Sequence, residues 1–189
     1  MHAASTHLAW LVLLPPLGAA AGITLLALNR PAVSARLSIG AILAAFGVSL
    51  VLFTQGVEGR TAWTWLSIDD GRGTFVAELG LRLDHLSCLM LLVVTGVGSV
   101  IHIYSLGYMR GDRSVGRYFA GLSLFSFSML GIVLADNFLM LFICWELVGV
   151  SSYLLIGFWF ERPAAADASK KAFLTNRLGD FGFLQVSFG

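Results

Sequence analysis

Charged residues are scarce in this 189-residue chain. They make up 12% of the sequence, and hydrophobic residues make up 57%, whereas a soluble globular protein carries about 25% charged residues. Because the apolar residues stand in long runs, the composition indicates an integral membrane protein with the lipid bilayer as its surroundings. The formal net charge is only +1, so we expect no nucleic-acid partner held by a basic patch.

Clustered cysteines and cofactor-binding motifs are also missing. Cys88 and Cys144 each lie inside an apolar run, which argues against a disulfide framework and against a zinc site. The sequence has no nucleotide-binding loop, haem motif or iron–sulfur cysteine pattern. We therefore expect this chain to bind no metal and no cofactor, and any redox chemistry to take place in another polypeptide.

The first apolar run lacks the basic residues that precede a signal-peptide core. No Lys or Arg occurs in MHAASTH, and the run continues to about Leu28. It is therefore long enough to span a bilayer, which takes about 20 residues. We interpret it as a retained transmembrane helix.

Six apolar segments predict an all-α integral membrane bundle of about six transmembrane helices. The segments do not alternate in polarity, which excludes a transmembrane β-barrel, and a helix satisfies its own backbone groups in lipid. Small residues in GAAAG (18–22) and at Gly179 and Gly182 favour close helix contacts. The last segment has no closing loop, which predicts a fragment of a larger fold. The segments are roughly 8–28, 33–55, 83–106, 115–135, 137–160 and 171–189.

A longer loop, residues 56–82, separates the second and third segments. Its stretch TAWTWLSI alternates in polarity, DDGRG marks a turn, and TFVAELGL follows. This pattern predicts a β-hairpin. Trp63 and Trp65 suit the membrane interface, where indole rings are favoured.

Basic residues are divided unequally between the two sides of the predicted bundle. Eight lie in the loops on one side and three on the other, so the positive-inside rule places the eight in the cytoplasm. The N-terminus and the hairpin loop are then extracytoplasmic. The eight are Arg30, Arg36, Arg110, Arg113, Arg117, Arg162, Lys170 and Lys171, and the three are Arg60, Arg72 and Arg82.

One carboxylate, Glu146, stands near the middle of the apolar stretch LFICWELVGVSSYLLIGFWFE (141–161). Placing an acidic side chain at the centre of a membrane helix costs about 2.5–3.5 kcal/mol. Such a group persists if it pairs with a cation, borders water or changes its protonation state. The simpler alternative is a carboxylate that only hydrogen-bonds neighbouring helices.

Further charged residues lie in the last segment. Arg177 and Asp180, in NRLGD, are spaced i, i+3 and can pair with each other. Arg177 could instead extend its side chain to the interface, as we expect for Lys171 at the cytoplasmic entrance of this helix.

Four other polar or aromatic residues are candidates for a functional or a structural role. His102 suits proton relay at neutral pH, and it equally suits a hydrogen bond between helices. Tyr153 shares the helical face of Glu146 and could donate to a water chain, although aromatic packing is commoner. Asp84 is expected to be a helix N-cap. Trp145 is expected to be a packing or interface residue.

Two long stretches resemble subunit L of NADH-quinone oxidoreductase, the respiratory complex I family that includes mitochondrial chain 5. They are LRLDHLSCLMLLVVTGVGSVIHIYSLGYM and LADNFLMLFICWELVGVSSYLLIGFWFERPAAADASKKAFLTNRLGDFGF. The likeness covers about residues 80–183, whereas the first 80 residues agree only in layout. The large subunits of Mrp-type cation/proton antiporters share the WEL…SSYLLIGFW type of helix, but NRLGDFGF looks more like the complex I subunit.

The resemblance implies a proton-translocating, antiporter-like subunit of the membrane arm, in a bacterial inner membrane, that couples quinone reduction to proton pumping. Residues 1–82 would be two transmembrane helices plus the hairpin loop, and residues 83–189 the start of the antiporter-like domain. Glu146 matches a family glutamate that pairs with a lysine on a later helix, and Asp180 matches an aspartate linked to activity.

The same resemblance assigns supporting positions and partners. Arg177 fits the family pattern, and His102, Tyr153 and Lys171 would support the path. NADH, FMN, iron–sulfur clusters and quinone would be bound by other subunits, and the partners would be other membrane-arm subunits. Two alternatives remain at this point: the large subunit of an Mrp-type Na⁺/H⁺ antiporter, and a truncated scaffold without transport activity.

Overall fold

The computed structural model describes residues 7–69 and 74–188, and within these ranges the chain forms six α-helices and one β-hairpin. The elements are α1 (Leu8–Gly22, continued by a π-helical turn, Ile23–Ala27), α2 (Pro31–Gln55), β1 (Gly59–Asp69), β2 (Thr74–Leu83), α3 (His85–Tyr108), α4 (Val115–Leu134), α5 (Phe138–Ile156) and α6 (Pro163–Phe188).

Five of the described helices are long and apolar enough to cross a membrane: α1 with its π-turn, α2, α3, α4 and α5. The sixth, α6, begins at Pro163, eight residues before the apolar segment that the sequence indicated. Proline is favoured in the first turn of a helix, and the polar residues that follow, including Asp167 and Lys171, become helical with it. The prediction of an all-α, multi-pass membrane protein is confirmed.

The predicted hairpin is also confirmed. The strands β1 and β2 pair antiparallel from Gly59 opposite Leu83 to Asp69 opposite Thr74, with one register shift between Thr64 and Leu66. Trp63 and Trp65 are exposed on the hairpin. Their location at a membrane interface stays a prediction.

The hairpin is fastened to the short turn between α4 and α5. The backbone N–H of Asp136 donates to the carbonyl of Gly80 at 3.1 Å, and the Asn137 amide donates to the carbonyl of Glu78 at 2.9 Å. Arg60 forms ion pairs with both Glu78 and Asp136. Asn137 also caps α5 by accepting from the backbone N–H of Met140 at 2.8 Å. The turn therefore fixes both the hairpin and the start of the helix that carries Glu146.

The helix α4 lies at the centre of the bundle and packs against α1, α2, α3 and α5. Two glycines allow the close approach: a Cβ on Gly116 would lie 2.2 Å from the carbonyl oxygen of Leu28, and one on Gly131 would lie 2.4 Å from Sγ of Cys144. In the GAAAG stretch of α1, the alanines Ala19 and Ala20 are buried, but the glycines there and at the end of α6 make no close contact. No neighbouring atom lies within 4 Å of a Cβ built on Gly18, Gly22, Gly179 or Gly182 among the described residues.

We predict that Gly116→Ala destabilises the bundle by about 1–3 kcal/mol, because α4 has to move away from the Leu28 carbonyl. Thermal unfolding of the purified protein in detergent micelles measures this loss. Gly18→Ala is the matched control, since its Cβ meets open space and alanine is the better helix former. Equal stability of the two variants would contradict the packing described here.

The start of α3 confirms the predicted N-cap. The backbone N–H of Ser87 donates to Oδ1 of Asp84 at 2.7 Å, and the backbone N–H of Asp84 donates to Oγ of Ser87 at 2.8 Å. This capping box satisfies two N–H groups at the helix terminus. The hydrogen bond from the Ser87 backbone lowers the pKa of Asp84 from its ordinary 3.8.

The lowered pKa gives Asp84 a pH-dependent share of the stability. A carboxyl whose pKa is lower in the folded state stabilises the fold above its unfolded pKa, and this contribution is lost as the pH falls through the folded pKa. We predict that Asp84→Ala costs about 1 kcal/mol at pH 7 and that the difference from the native protein shrinks below pH 4. Unfolding midpoints from pH 7 to pH 3 measure this. Asp84→Asn, a capping residue without charge, should be less destabilising, and a pH-independent cost for Asp84→Ala would refute the role of the charge.

Candidate ion-pair site between the fifth and sixth helices

The partly buried carboxylate Glu146 has a cationic partner in the described part of the chain. It lies on α5, and the Nη1 atom of Arg177 on α6 donates to its Oε2 atom. The Glu146 side chain is 20% exposed and that of Arg177 is 37% exposed. Because α6 packs against α5, this ion pair joins the two helices.

A second carboxylate, Asp180, completes the cluster. It stands one turn after Arg177, its Oδ2 atom lies 3.6 Å from Nη1 of Arg177, and its side chain is 11% exposed. The indole Nε1 of Trp145 donates to the other oxygen, Oδ1, at 2.8 Å. One guanidinium thus lies between two carboxylates, and the second carboxylate is held in place by a neutral donor from α5.

Aromatic rings cover one side of the cluster. The Cζ atom of Arg177 lies 4.8 Å from the ring centroid of Phe173, a cation–π distance. Phe173 in turn packs against Tyr153, with ring centroids 5.4 Å apart. The structure therefore links Tyr153 to the site through a ring contact, which is the packing role considered for it.

The other two residues expected to support the path are placed apart from this cluster. His102 is buried in the contact region of α2, α3 and α4, with Nδ1 2.7 Å from the carbonyl oxygen of Gly98. Lys171 is exposed in the first half of α6. It stands six residues before Arg177, or nearly two helical turns.

Two contacts of the site were missed from the sequence. Trp145 was expected to be a packing or interface residue, and it is a hydrogen-bond donor to Asp180. Arg177 was expected to pair with Asp180 or to reach the interface, and it pairs with Glu146 as well. The spacing of charges within α6 could show only the local pair, because the rotation of α6 against α5 decides which side chains meet.

The cluster combines one cation with two carboxylates. With all three groups ionised, its net charge is −1, which is costly in a region of low dielectric constant. A cation beside a carboxylate favours the charged form of that carboxylate, so Glu146 and Asp180 compete for the Arg177 guanidinium. Among the residues that the structure describes, no group of three or more His, Cys, Asp or Glu side chains could hold a metal ion.

Two family models match this sequence. The model described as the N-terminus of chain 5 of NADH-ubiquinone oxidoreductase (complex I) matches residues 65–119. The transmembrane model of NADH:quinone oxidoreductases and Mrp antiporters matches residues 135–188. Together they cover more than half of the chain, including every residue of the ion-pair cluster.

Curated relatives agree with these matches. NAD(P)H-quinone oxidoreductase chain 5 of Synechocystis sp. is 45% identical over 185 residues, which is 94% of this chain and 27% of that protein. NADH-quinone oxidoreductase subunit L of Mycobacterium tuberculosis is 43% identical over 94% of this chain and 29% of that protein. The chain therefore spans less than a third of the length of these relatives.

A solved structure shares the fold. The Mrp complex from Dietzia sp. contains a chain that superposes with a TM-score of 0.75 at 28% identity, over 94% of this chain and 18% of that chain. The fold and the matched transmembrane region define an antiporter-like membrane protein. Within that class, the chain belongs to the family of NAD(P)H-quinone oxidoreductase chain 5 and subunit L proteins.

We predict that Trp145→Phe destabilises the α5–α6 contact by about 1–3 kcal/mol, because a buried oxygen of Asp180 loses its donor. Thermal unfolding of the purified protein in detergent measures the change. Trp159→Phe is the control: its indole donates to Asp112 at 3.0 Å in an exposed loop, where water can replace it, so we expect a loss below about 0.5 kcal/mol. Equal losses in the two variants would show that the Trp145 donor contributes nothing specific.

Proposed function

We propose that this chain is part of a proton-translocating membrane subunit of an NAD(P)H-quinone oxidoreductase, in which Glu146 and Asp180 bind and release protons. The observation that carries the proposal is the placement of one guanidinium between these two carboxylates, where α6 packs against the apolar helix α5. The names of the curated relatives support the reaction and its class. The activity belongs to the full-length subunit in its complex, since the chain spans 27% of the Synechocystis relative.

Arg177 acts by moving, because a guanidinium stays protonated at any physiological pH. When it pairs with Glu146, Asp180 is the better proton acceptor, and when it turns to Asp180, Glu146 is. The second carboxylate is already within 3.6 Å, so a small displacement of the side chain exchanges the partners. Trp145 keeps Asp180 in position while the cation moves.

A second cation approaching Glu146 would drive this exchange. The resemblance implies a lysine on a later helix of the full-length subunit, and its arrival would release Arg177 towards Asp180. A movement of charge elsewhere in the subunit then changes whether Asp180 holds a proton. Tyr153 and Phe173 shield the ion-pair cluster from lipid. Lys171 adds a positive charge in the first half of α6.

The surroundings of the subunit follow from the same reasoning. We place the N-terminus and hairpin outside and the basic loops in the cytoplasm of a bacterial inner membrane. The partners are other membrane-arm subunits, and NADH, FMN, iron–sulfur clusters and quinone are bound by other subunits of the complex. A large subunit of an Mrp-type antiporter is less well supported, because identity to the Mrp structure is 28% against 43–45% to the oxidoreductase subunits.

We predict that Glu146→Gln in the full-length subunit lowers proton pumping and coupled NADH:quinone reductase activity by about tenfold or more, since a group that transfers protons typically contributes 10²-fold or more. Pumping is measured by fluorescence quenching in inverted membrane vesicles, with the amount of assembled complex determined in parallel.

Glu161→Gln is the matched control, because Glu161 is exposed in the turn between α5 and α6 and should leave both activities unchanged. Arg177→Lys keeps a cation but loses the planar fork that reaches two carboxylates, so we expect partial activity. Normal assembly with unchanged pumping in Glu146→Gln would remove Glu146 from the proton path and would favour a scaffold role.

A further inference from the structure

A buried histidine lies outside the ion-pair cluster and is not used by the mechanism above. His102 is 1% exposed and stands on the α3 face that packs against α2 and α4. The same α3 face and its two neighbouring helices carry further buried polar side chains, which are serines and a threonine. These are Ser38 on α2, Thr95, Ser99 and Ser105 on α3, and Ser123 on α4.

The tautomer of His102 follows from its hydrogen bond. Nδ1 lies 2.7 Å from the backbone carbonyl oxygen of Gly98, and a carbonyl can only accept. Nδ1 therefore carries the hydrogen of the neutral ring, and Nε2 is left with a lone pair. Nε2 of His102 is buried and has no hydrogen-bond partner among the described residues. A buried acceptor without a donor costs roughly 1–3 kcal/mol.

The nearby hydroxyls on α3 cannot supply the missing donor. Each has one hydrogen and gives it to a carbonyl of its own helix: Thr95 to Leu91 at 2.6 Å, Ser99 to Thr95 at 2.7 Å and Ser105 to Ile101 at 2.7 Å. Their lone pairs stay available as acceptors. These α3 hydroxyls are therefore committed as donors, and water is a small molecule that can supply the donor that Nε2 lacks.

A cleft of about 350 Å³ opens between α2, α3 and α4 at the predicted cytoplasmic end of these helices. Its lining includes Arg110 and Asp112, together with Met109 and Phe119, which are both buried. Ser105 lies one turn before Met109 on α3, and its hydroxyl bonds to the Tyr118 hydroxyl of α4 at 3.2 Å. This polar contact lies between the lining residue Met109 and His102 along α3, within one turn of each.

We propose that Nε2 of His102 binds an internal water molecule and that this water makes His102 a proton acceptor inside the α2–α4 interface. The water donates one hydrogen to Nε2 and the other to an α3 hydroxyl oxygen. When a proton reaches the water, the water passes its bonded hydrogen to Nε2 and keeps the arriving proton in its place. The ring becomes an imidazolium with both nitrogens protonated, and the water molecule is unchanged. The acceptor site stands on the local geometry, and only its contribution to pumping rests on the proposed function.

The water site is tested by solid-state NMR of the full-length protein labelled with ¹⁵N-histidine in lipid bilayers. The His102 signal is assigned by its loss in His102→Gln. We expect a neutral ring with protonated Nδ1, and a correlation between Nε2 and water protons that persists when bulk water is frozen. Exposed His85 gives the positive control for water contact in unfrozen samples. The water site would be overturned if the spectra showed neither a hydrogen bond to Nε2 nor a correlation between Nε2 and water protons.

The proton role is tested by His102→Asn in the assembled complex. The asparagine amide reaches the place of Nδ1 and can donate to Gly98, but it has no group at the place of Nε2. We expect pumping to fall about tenfold or more at normal assembly. The control is Ser49→Ala, which removes another buried hydroxyl that bonds only its own helix, to Ala45 at 2.8 Å, and should pump normally.

The outcomes separate the two proposals. If His102→Asn pumps like the native complex, the proton role of His102 is overturned whatever Glu146→Gln does. If Glu146→Gln pumps normally while the NMR correlation is present, the water site stands and the proposed function fails.

Discussion

The high cost of an unpaired charge or polar group in lipid is the constraint on which the rest of this structure depends. It explains why the long apolar elements of the described residues are helices, because a helix satisfies its own backbone, and why the two-stranded hairpin lies in the loop between two of them. It also explains why serines and threonines inside the helices return their hydrogens to carbonyls one turn back, as Ser49, Thr95 and Ser99 do. Glu146 is tolerated under the same rule because Arg177 lies against it.

In the proposed function, the ion-pair cluster makes use of that cost. One guanidinium cannot pair fully with two carboxylates at once, so Glu146 and Asp180 compete for Arg177. The cluster lies between α5 and α6, at the edge of the bundle, whereas α4 at the centre is held by close contacts at Gly116 and Gly131. The proposed movement of Arg177 would therefore take place away from the closely packed centre.

The second polar region has a different character. On the α3 face of His102, the buried polar groups are neutral hydroxyls and one imidazole, and a cleft lies at one end of the same three helices. While His102 is neutral, these groups need no counter-charge, whereas in the proposed step the protonated ring is a buried charge that the bound water stabilises. The two regions would therefore respond to different signals: the cluster to a moving cation, and His102 to the arrival of a proton.

The sequence by itself determined the class of fold, the hairpin, the N-cap at Asp84 and which carboxylates are costly to place among apolar helices. Each of these follows from local composition, spacing or length. It also indicated that Glu146 needed a partner. Only the tertiary structure decided that Arg177 is that partner in this part of the chain, that Trp145 holds Asp180, and that Gly116 and Gly131 rather than the glycines of α1 make the close contacts. The physical reason is that these contacts depend on how neighbouring helices are rotated about their axes. Packing across the whole bundle fixes that rotation. Because hydrophobic residues occur on nearly every face of a membrane helix, the sequence has little periodicity from which the rotation could be predicted.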